Sequence, residues 1–265
     1  MTSKQRVNDL LERVSGRRVM RPSYIKVGDL GGQVEPEAQT ILDQVAGRTI
    51  TVPLQQYTTW SAVRYLVQNH VEGAMVECGT WRGGQAMIVA LTLMQLGDTT
   101  RDLYLFDTFE GMPAPSDRDT RYDGEMNADV MLQLSVGDRT SSENAWCVAD
   151  QRDVLAGMAS TNYPAARVHL VPGLVEDTIP SEAPSTIALL RLDTDWYEST
   201  RHELEHLWDC VVPNGVVIID DYDWWNGSRD AVDEFFAARG VYPMLFRPGL
   251  GRALIKTVNG TSSSS

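Results

Sequence analysis

Cysteine is scarce in this 265-residue chain, and what little there is stands apart: Cys78, Cys147 and Cys210, with no C-x-x-C pair. That argues against a disulfide framework or a cysteine-ligated zinc, and for reduced thiols in a cytoplasm. Basic runs are also missing. Nothing exceeds the Arg17-Arg18 pair, and the formal charge is −13. A surface this acidic repels a phosphate backbone, so nucleic acid is not an expected partner. No apolar stretch reaches membrane-span length, and "MTSKQRVNDLLERVSGRR" has no signal-peptide core, so neither a membrane anchor nor secretion is expected. No internal repeat occurs.

What is present is ordinary globular material, 43% hydrophobic and 22% charged, enough for a sizeable core. Val7, Leu10, Leu11 and Val14 predict a short amphipathic helix near residues 4–15. Thr58 to Val71 reads as a helix with Trp60, Val63, Leu66 and Val67 inward. Apolar runs then alternate with helical patterns. "AMVECG", "DLYLFD", "RVHLVPG", "TIALLRLD" and "GVVIIDD" read as strands, and "YPMLFRPGLGRALIKTV" as a closing strand pair. This alternation predicts an α/β fold with a parallel sheet and an antiparallel edge. The expected organisation is an N-terminal extension over residues 1–55, a main domain over 56–258 and a disordered tail over 259–265. Within the main domain, the polar, Pro- and Gly-punctuated stretch 112–145 is expected to be a mobile lid.

Three constellations carry candidate chemistry. "VECGTWRGGQ" joins a strand to a helix through glycines 79, 83 and 84, where a ligand could approach the backbone. Its G-x-x-x-G-G spacing suits a nucleoside-type ligand better than the diphosphate of a G-x-G-x-x-G loop. One unit later Asp107 ends a strand, where an acid can bind ribose hydroxyls. Asp193 and Asp195 in "LLRLDTDWYEST" then face the Asp220-Asp221 step of "VVIIDDYDWW" across neighbouring strands. Acids gathered this way need a counter-charge, and hard oxygen donors suit Mg²⁺. "HELEH" matches the H-E-x-x-H zinc pattern, but Leu204, Leu207, Trp208 and Val211 place both histidines away from the buried stripe.

With "VECGTWRGGQ", "FDTFEGMP", "VPGLVEDTIP", "LRLDTDWYEST" and "VIIDDY" in this order, roughly residues 35–258 resemble the macrocin O-methyltransferase family. The resemblance implies an S-adenosylmethionine- and metal-dependent enzyme that methylates a sugar hydroxyl on a glycosylated antibiotic. It implies a class I methyltransferase fold, Rossmann-like, with seven strands and the last antiparallel. By resemblance Asp193, Asp220 and Asp221 hold Mg²⁺ and Asp195 is the general base. Glu77, Gly79, Thr80, Gly83 and Asp107 would hold S-adenosylmethionine, with Tyr57 and Thr58 touching it. Glu35, Trp196, Tyr222, Trp224 and Trp225 are candidate acceptor contacts, although the aromatics fit ordinary packing equally well. A homo-oligomer is expected. A catechol or phenol O-methyltransferase, a metal-dependent glycosyltransferase using D-x-D, and a non-catalytic binding module remain as alternatives.

Overall fold

The computed structural model describes residues 34–141 and 144–257. The expected helix near residues 4–15 and the tail from 259 lie outside the described residues. The chain begins with helices α1 (Pro36–Gln44) and α2 (Pro53–Gln68). It then alternates β1 (Ala74–Cys78), α3 (Gly84–Leu96), β2 (Leu103–Asp107), α4 (Ala128–Leu134), α5 (Gln151–Ser160), β3 (Val168–Pro172) and α6 (Val175–Thr178). It ends with β4 (Ile187–Leu192), α7 (Tyr197–Leu207), β5 (Val211–Ile219), α8 (Asn226–Arg239) and β6 (Arg252–Ile255).

The strands form one sheet in the order β3-β2-β1-β4-β5-β6, parallel except for β6. Every residue of β1 and of β4 is buried. Helices cover both faces, so these strands read as unbroken apolar runs rather than alternating ones. Met75, Leu105, Leu189 and Ile218 pack on one face beneath α1, α2, α3 and α5. Their neighbours Val76, Phe106, Leu190 and Val217 pack on the other, against Leu204, Leu207, Val232 and Phe235 of α7 and α8. The period of two in each strand thus feeds two separate cores.

Three expectations change. The sheet has six strands among the described residues, not seven. In the predicted closing pair only β6 forms, and its partner shrinks to the isolated bridge Phe246–Ala253. Pro243 and Pro248 flank that bridge and remove the N–H donors a longer ladder would need. Helix α2 starts at Pro53, whose fixed φ suits a first helical position, so the boundary expected after residue 55 falls inside a helix. Ala38, Ile41, Leu42 and Val45 share the main core, which ties residues from 36 onward to the sheet. The stretch 112–145, expected as a lid, has structure of its own. It contains α4 and packs Ala128 and Leu132 against Trp196 and Trp225 in a small third core. No helix among the described residues is long and apolar enough to cross a membrane.

Candidate active site

In an open parallel sheet a cleft forms at the strand C-termini where the strand order reverses. Here that point lies between β1 and β4. A cavity of about 990 Å³ opens there, floored by Glu77, Asp107, Arg191, Asp193 and Asp221. Met112, Met131 and Leu134 of the 112–145 stretch line its other side and make a roof.

The centre of the floor is Arg191, only 2% exposed. The register sets it beside Glu77 on β1 and Ile218 on β5. Its Nη1 donates to Glu77 Oε1 (2.8 Å) and Asp193 Oδ2 (2.6 Å), and its Nη2 to Asp220 Oδ1 (2.7 Å). One buried guanidinium therefore serves three carboxylates on three strands. Burial pushes Glu77 up to about 7, against the pull of Arg191. Sequence reasoning passed over this residue, although an arginine inside the apolar run "LLRLD" is itself a sign of a buried ion pair.

Beside this hub, carboxylate oxygens of Asp193, Asp195 and Asp221 lie within 4.8 Å of one another. Burial raises all three well above their ordinary range, Asp195 to about 7, and their mutual charge adds to the effect. Such a group needs shared protons or a cation, and three hard oxygen donors fit a divalent ion of the Mg²⁺ type. Two of the three expected ligands, Asp193 and Asp221, converge here together with the expected base Asp195. Asp220, whose Oδ1 accepts from Arg191, stands outside the group. Asp195 sits in the left-handed region at φ +68°, which an aspartate tolerates better than most residues.

The β1–α3 loop supplies the other end of the cleft. Gly79 has φ +82°, and a Cβ there would land on the Asp193 carbonyl oxygen. The missing side chain thus admits the β4 loop, and Gly79 also lines the cavity. Asp107 accepts from Thr80 N (2.7 Å) and Trp81 N (2.8 Å) through Oδ2, and from Phe109 N (2.7 Å) through Oδ1. A carboxylate has about four acceptor sites, so roughly one remains for a hydroxyl instead of the two expected. Buried polar atoms without partners concentrate in this region. They are Glu77 Oε2, Thr80 Oγ1, Trp81 Nε1, Gln85 Oε1, Arg48 Nε and Arg191 Nε, all on cavity-lining residues. Buried groups are normally satisfied, so this set fits a polar ligand that would complete them.

The remaining candidates divide. Glu77, Gly79, Thr80, Asp107, Trp224 and Trp225 line the cavity; Gly83, Tyr57, Thr58, Glu35, Trp196 and Tyr222 do not. Tyr57 donates to Glu35 Oε2 (2.8 Å), and Thr58 bonds back to Leu54 O within α2. The cleft side of this segment is carried instead by Thr51 and Gln55, which the sequence reading missed. Trp196 Nε1 donates to Pro113 O (3.0 Å), and Tyr222 to Asp233 Oδ1 (2.7 Å), so both serve packing. The "HELEH" histidines make no metal site. His202 Nε2 is 3.0 Å from Ile179 O, and His206 Nδ1 is 2.8 Å from His202 O.

Residues 52–247 match the family described as Macrocin-O-methyltransferase (TylF). The chain is 33% identical over 179 residues to the 8-demethyl-8-(2,3-dimethoxy-alpha-L-rhamnosyl)-tetracenomycin-C 4'-O-methyltransferase of Streptomyces olivaceus, covering 68% of this chain and 64% of that protein. It is 32% identical over 178 residues to the demethyldecarbamoylnovobiocin O-methyltransferase of Streptomyces niveus, covering 66% and 62%. The matched region is therefore a little under two thirds of the length of these curated relatives. The solved structure of the O-methyltransferase NovP superposes with a TM-score of 0.69 at 26% identity, covering 80% of this chain and 83% of that one. A family match over residues 52–247, with a relative at 33% identity over 68% of this chain, places the chain in the macrocin-O-methyltransferase (TylF) family.

Proposed function

We propose that this protein methylates a sugar hydroxyl of a glycosylated natural product, using S-adenosylmethionine and leaving S-adenosylhomocysteine. One observation carries the reading. Residues of the β1–α3 end that carry unpartnered buried polar atoms line the same cleft as the carboxylate group of the β4 and β5 ends. The names of the relatives point the same way, since one acts on a rhamnosyl-bearing tetracenomycin and another on a novobiocin precursor.

S-adenosylmethionine supplies an electrophilic methyl on a cationic sulfur, and an acidic cleft suits that charge. Glu77, Thr80, Trp81 and Gln85 would hold it through the atoms now unpartnered. Asp193 and Asp221 would hold a divalent cation, which lowers the pKa of a hydroxyl bound beside it. Asp195, next to both, accepts the hydroxyl proton as the oxygen–methyl bond forms and the methyl–sulfur bond breaks. Arg191 keeps Asp193 and Glu77 in fixed relation, so donor and acceptor ends stay aligned for an in-line transfer. Met112, Met131, Trp224 and Trp225 line the same cavity and would border the acceptor. The reading also includes a homo-oligomer, which light scattering at micromolar concentration checks.

The test is turnover against a panel of glycosylated and phenolic acceptors, with and without EDTA, alongside calorimetry with S-adenosylmethionine and with a nucleotide sugar. Methylation confined to sugar hydroxyls and lost in EDTA supports the proposal. A preference for phenols moves the acceptor class, and binding of the nucleotide sugar alone removes methyl transfer. Asp195→Asn should keep cofactor and metal affinity but lower turnover by about 10²–10⁴-fold, the usual contribution of a general base. Near-normal turnover of that variant between about pH 6 and 9 would hand the proton to another group.

A further inference from the structure

Beneath the floor lies an acid that the mechanism above does not use. Glu203 on α7 is 0% exposed and does not reach the cavity. Its Oε1 accepts from Thr194 Oγ1 at 2.9 Å. Its Oε2 is buried without a partner, and the Cys78 thiol lies against the same carboxyl. No ion pair reaches Glu203 among the described residues, and burial pushes its carboxyl well above the ordinary carboxylate range.

Its two contacts are the places where the site is assembled. Cys78 is the last residue of β1, directly after Glu77, and its carbonyl accepts from Asp193 N at 2.8 Å. Thr194 separates Asp193 from Asp195. The Thr194 carbonyl accepts from Trp196 N (2.8 Å) and from Ser199 Oγ (3.3 Å), which closes the tight turn that holds Asp195 at φ +68°. Side-chain and backbone bonds thus fix Thr194 from two sides, and the side-chain bond depends on Glu203. A lone buried carboxyl costs stability that an apolar side chain of similar length would not.

We propose that Glu203 is a positioning residue: through Thr194 it fixes the turn that aims Asp193 and Asp195 into the cleft. The effect on turnover rests on the reading of Asp195 as proton acceptor; the effect on the turn does not.

Three variants test it. Glu203→Met fills the volume and removes the acceptor, Thr194→Val removes the donor, and Glu203→Gln keeps a hydrogen-bonding carbonyl. Glu203→Met and Thr194→Val should each lower kcat by roughly 10- to 100-fold, the scale of a small misplacement, with KM for S-adenosylmethionine within about 2-fold. Their double variant should be no slower than either alone, because both break one bond. Glu203→Gln should restore turnover to within about 3-fold of the parent, and Glu203→Met should melt at the same temperature or higher. Equal turnover of Glu203→Met and the parent overturns the proposal, as does a loss of turnover matched by lost cofactor affinity and a lower Tm. Should the parent methylate no acceptor at all, hydrogen exchange at residues 193–197 decides. Faster exchange in Glu203→Met than in Glu203→Gln supports positioning, and identical exchange ends it.

Discussion

Floor and roof each contain a fully buried acid, and they treat it differently. Glu77 in the floor lies against Arg191 yet keeps one carboxylate oxygen unpartnered. Asp119 in the roof makes no ion pair among the described residues. It accepts from Ser116 N (2.6 Å) and Ser116 Oγ (2.8 Å) through one oxygen, and from Tyr197 N (2.8 Å) through the other. Asp119 is therefore satisfied within the chain, and it caps the start of α7 much as a capping residue would. The floor gathers more carboxylates than Arg191 alone offsets and leaves polar atoms unpartnered, which fits a ligand site. The contrast separates the two kinds of buried polar group: one stabilises the fold and one waits for a partner.

Breaking the floor should have the largest effect. Arg191→Met leaves Glu77, Asp193 and Asp220 without their shared cation, and removing one partner of a buried pair costs about 3–5 kcal/mol. The denaturation midpoint should fall accordingly, and added Mg²⁺ should recover part of it by giving Asp193 a substitute charge. A midpoint unchanged from the parent would mean the hub is not charged as described.

The roof should break more gently. Asp119→Ala strands buried N–H donors at a cost of about 1–3 kcal/mol. Limited proteolysis within residues 112–145 should speed up while affinity for S-adenosylmethionine stays the same. If cofactor affinity falls with it, floor and roof are one unit rather than two.

The smallest effect concerns Cys147, which lines the cavity between them. Burial, with the charges of Asp195, Asp193 and Asp107, pushes its thiol up to about 12. The thiolate is the reactive form, so alkylation should be slow at neutral pH and rise about tenfold per pH unit up to that value. A plateau near pH 9, seen by mass spectrometry, would place the thiol in a more open setting than the structure gives it.

The floor was largely legible in the sequence. Strands buried on both faces leave unbroken apolar runs, and the acids that close them are displaced to one edge by the parallel order. Glu77, Asp107, Asp193 and Asp221 are visible for that reason. Arg191's role was not, because its three partners come from β1, β5 and the end of β4 and meet only in the folded sheet. The roof was expected as a lid, but composition hid its packing. Its polar, Pro- and Gly-rich stretch suggests a loose loop, yet Met112, Met131 and Trp146 turn inward onto Trp196 and Trp225. The missing strand beside β6 and the early start of α2 follow from prolines whose local effect outweighs the apolar pattern.

The bond from Tyr197 to Asp119 spans 78 residues, and that from Asn226 Nδ2 to Thr120 Oγ1 spans 106. Both roof anchors therefore come from the starts of helices made much later in the chain. On a polypeptide emerging from its N-terminus, the 112–145 segment has neither anchor until α7 and then α8 have appeared. The strands β1, β2 and β4, which make the acid-lined groove, all precede in the chain the two helix starts that fasten its cover, so the groove's parts are complete before its fastenings exist.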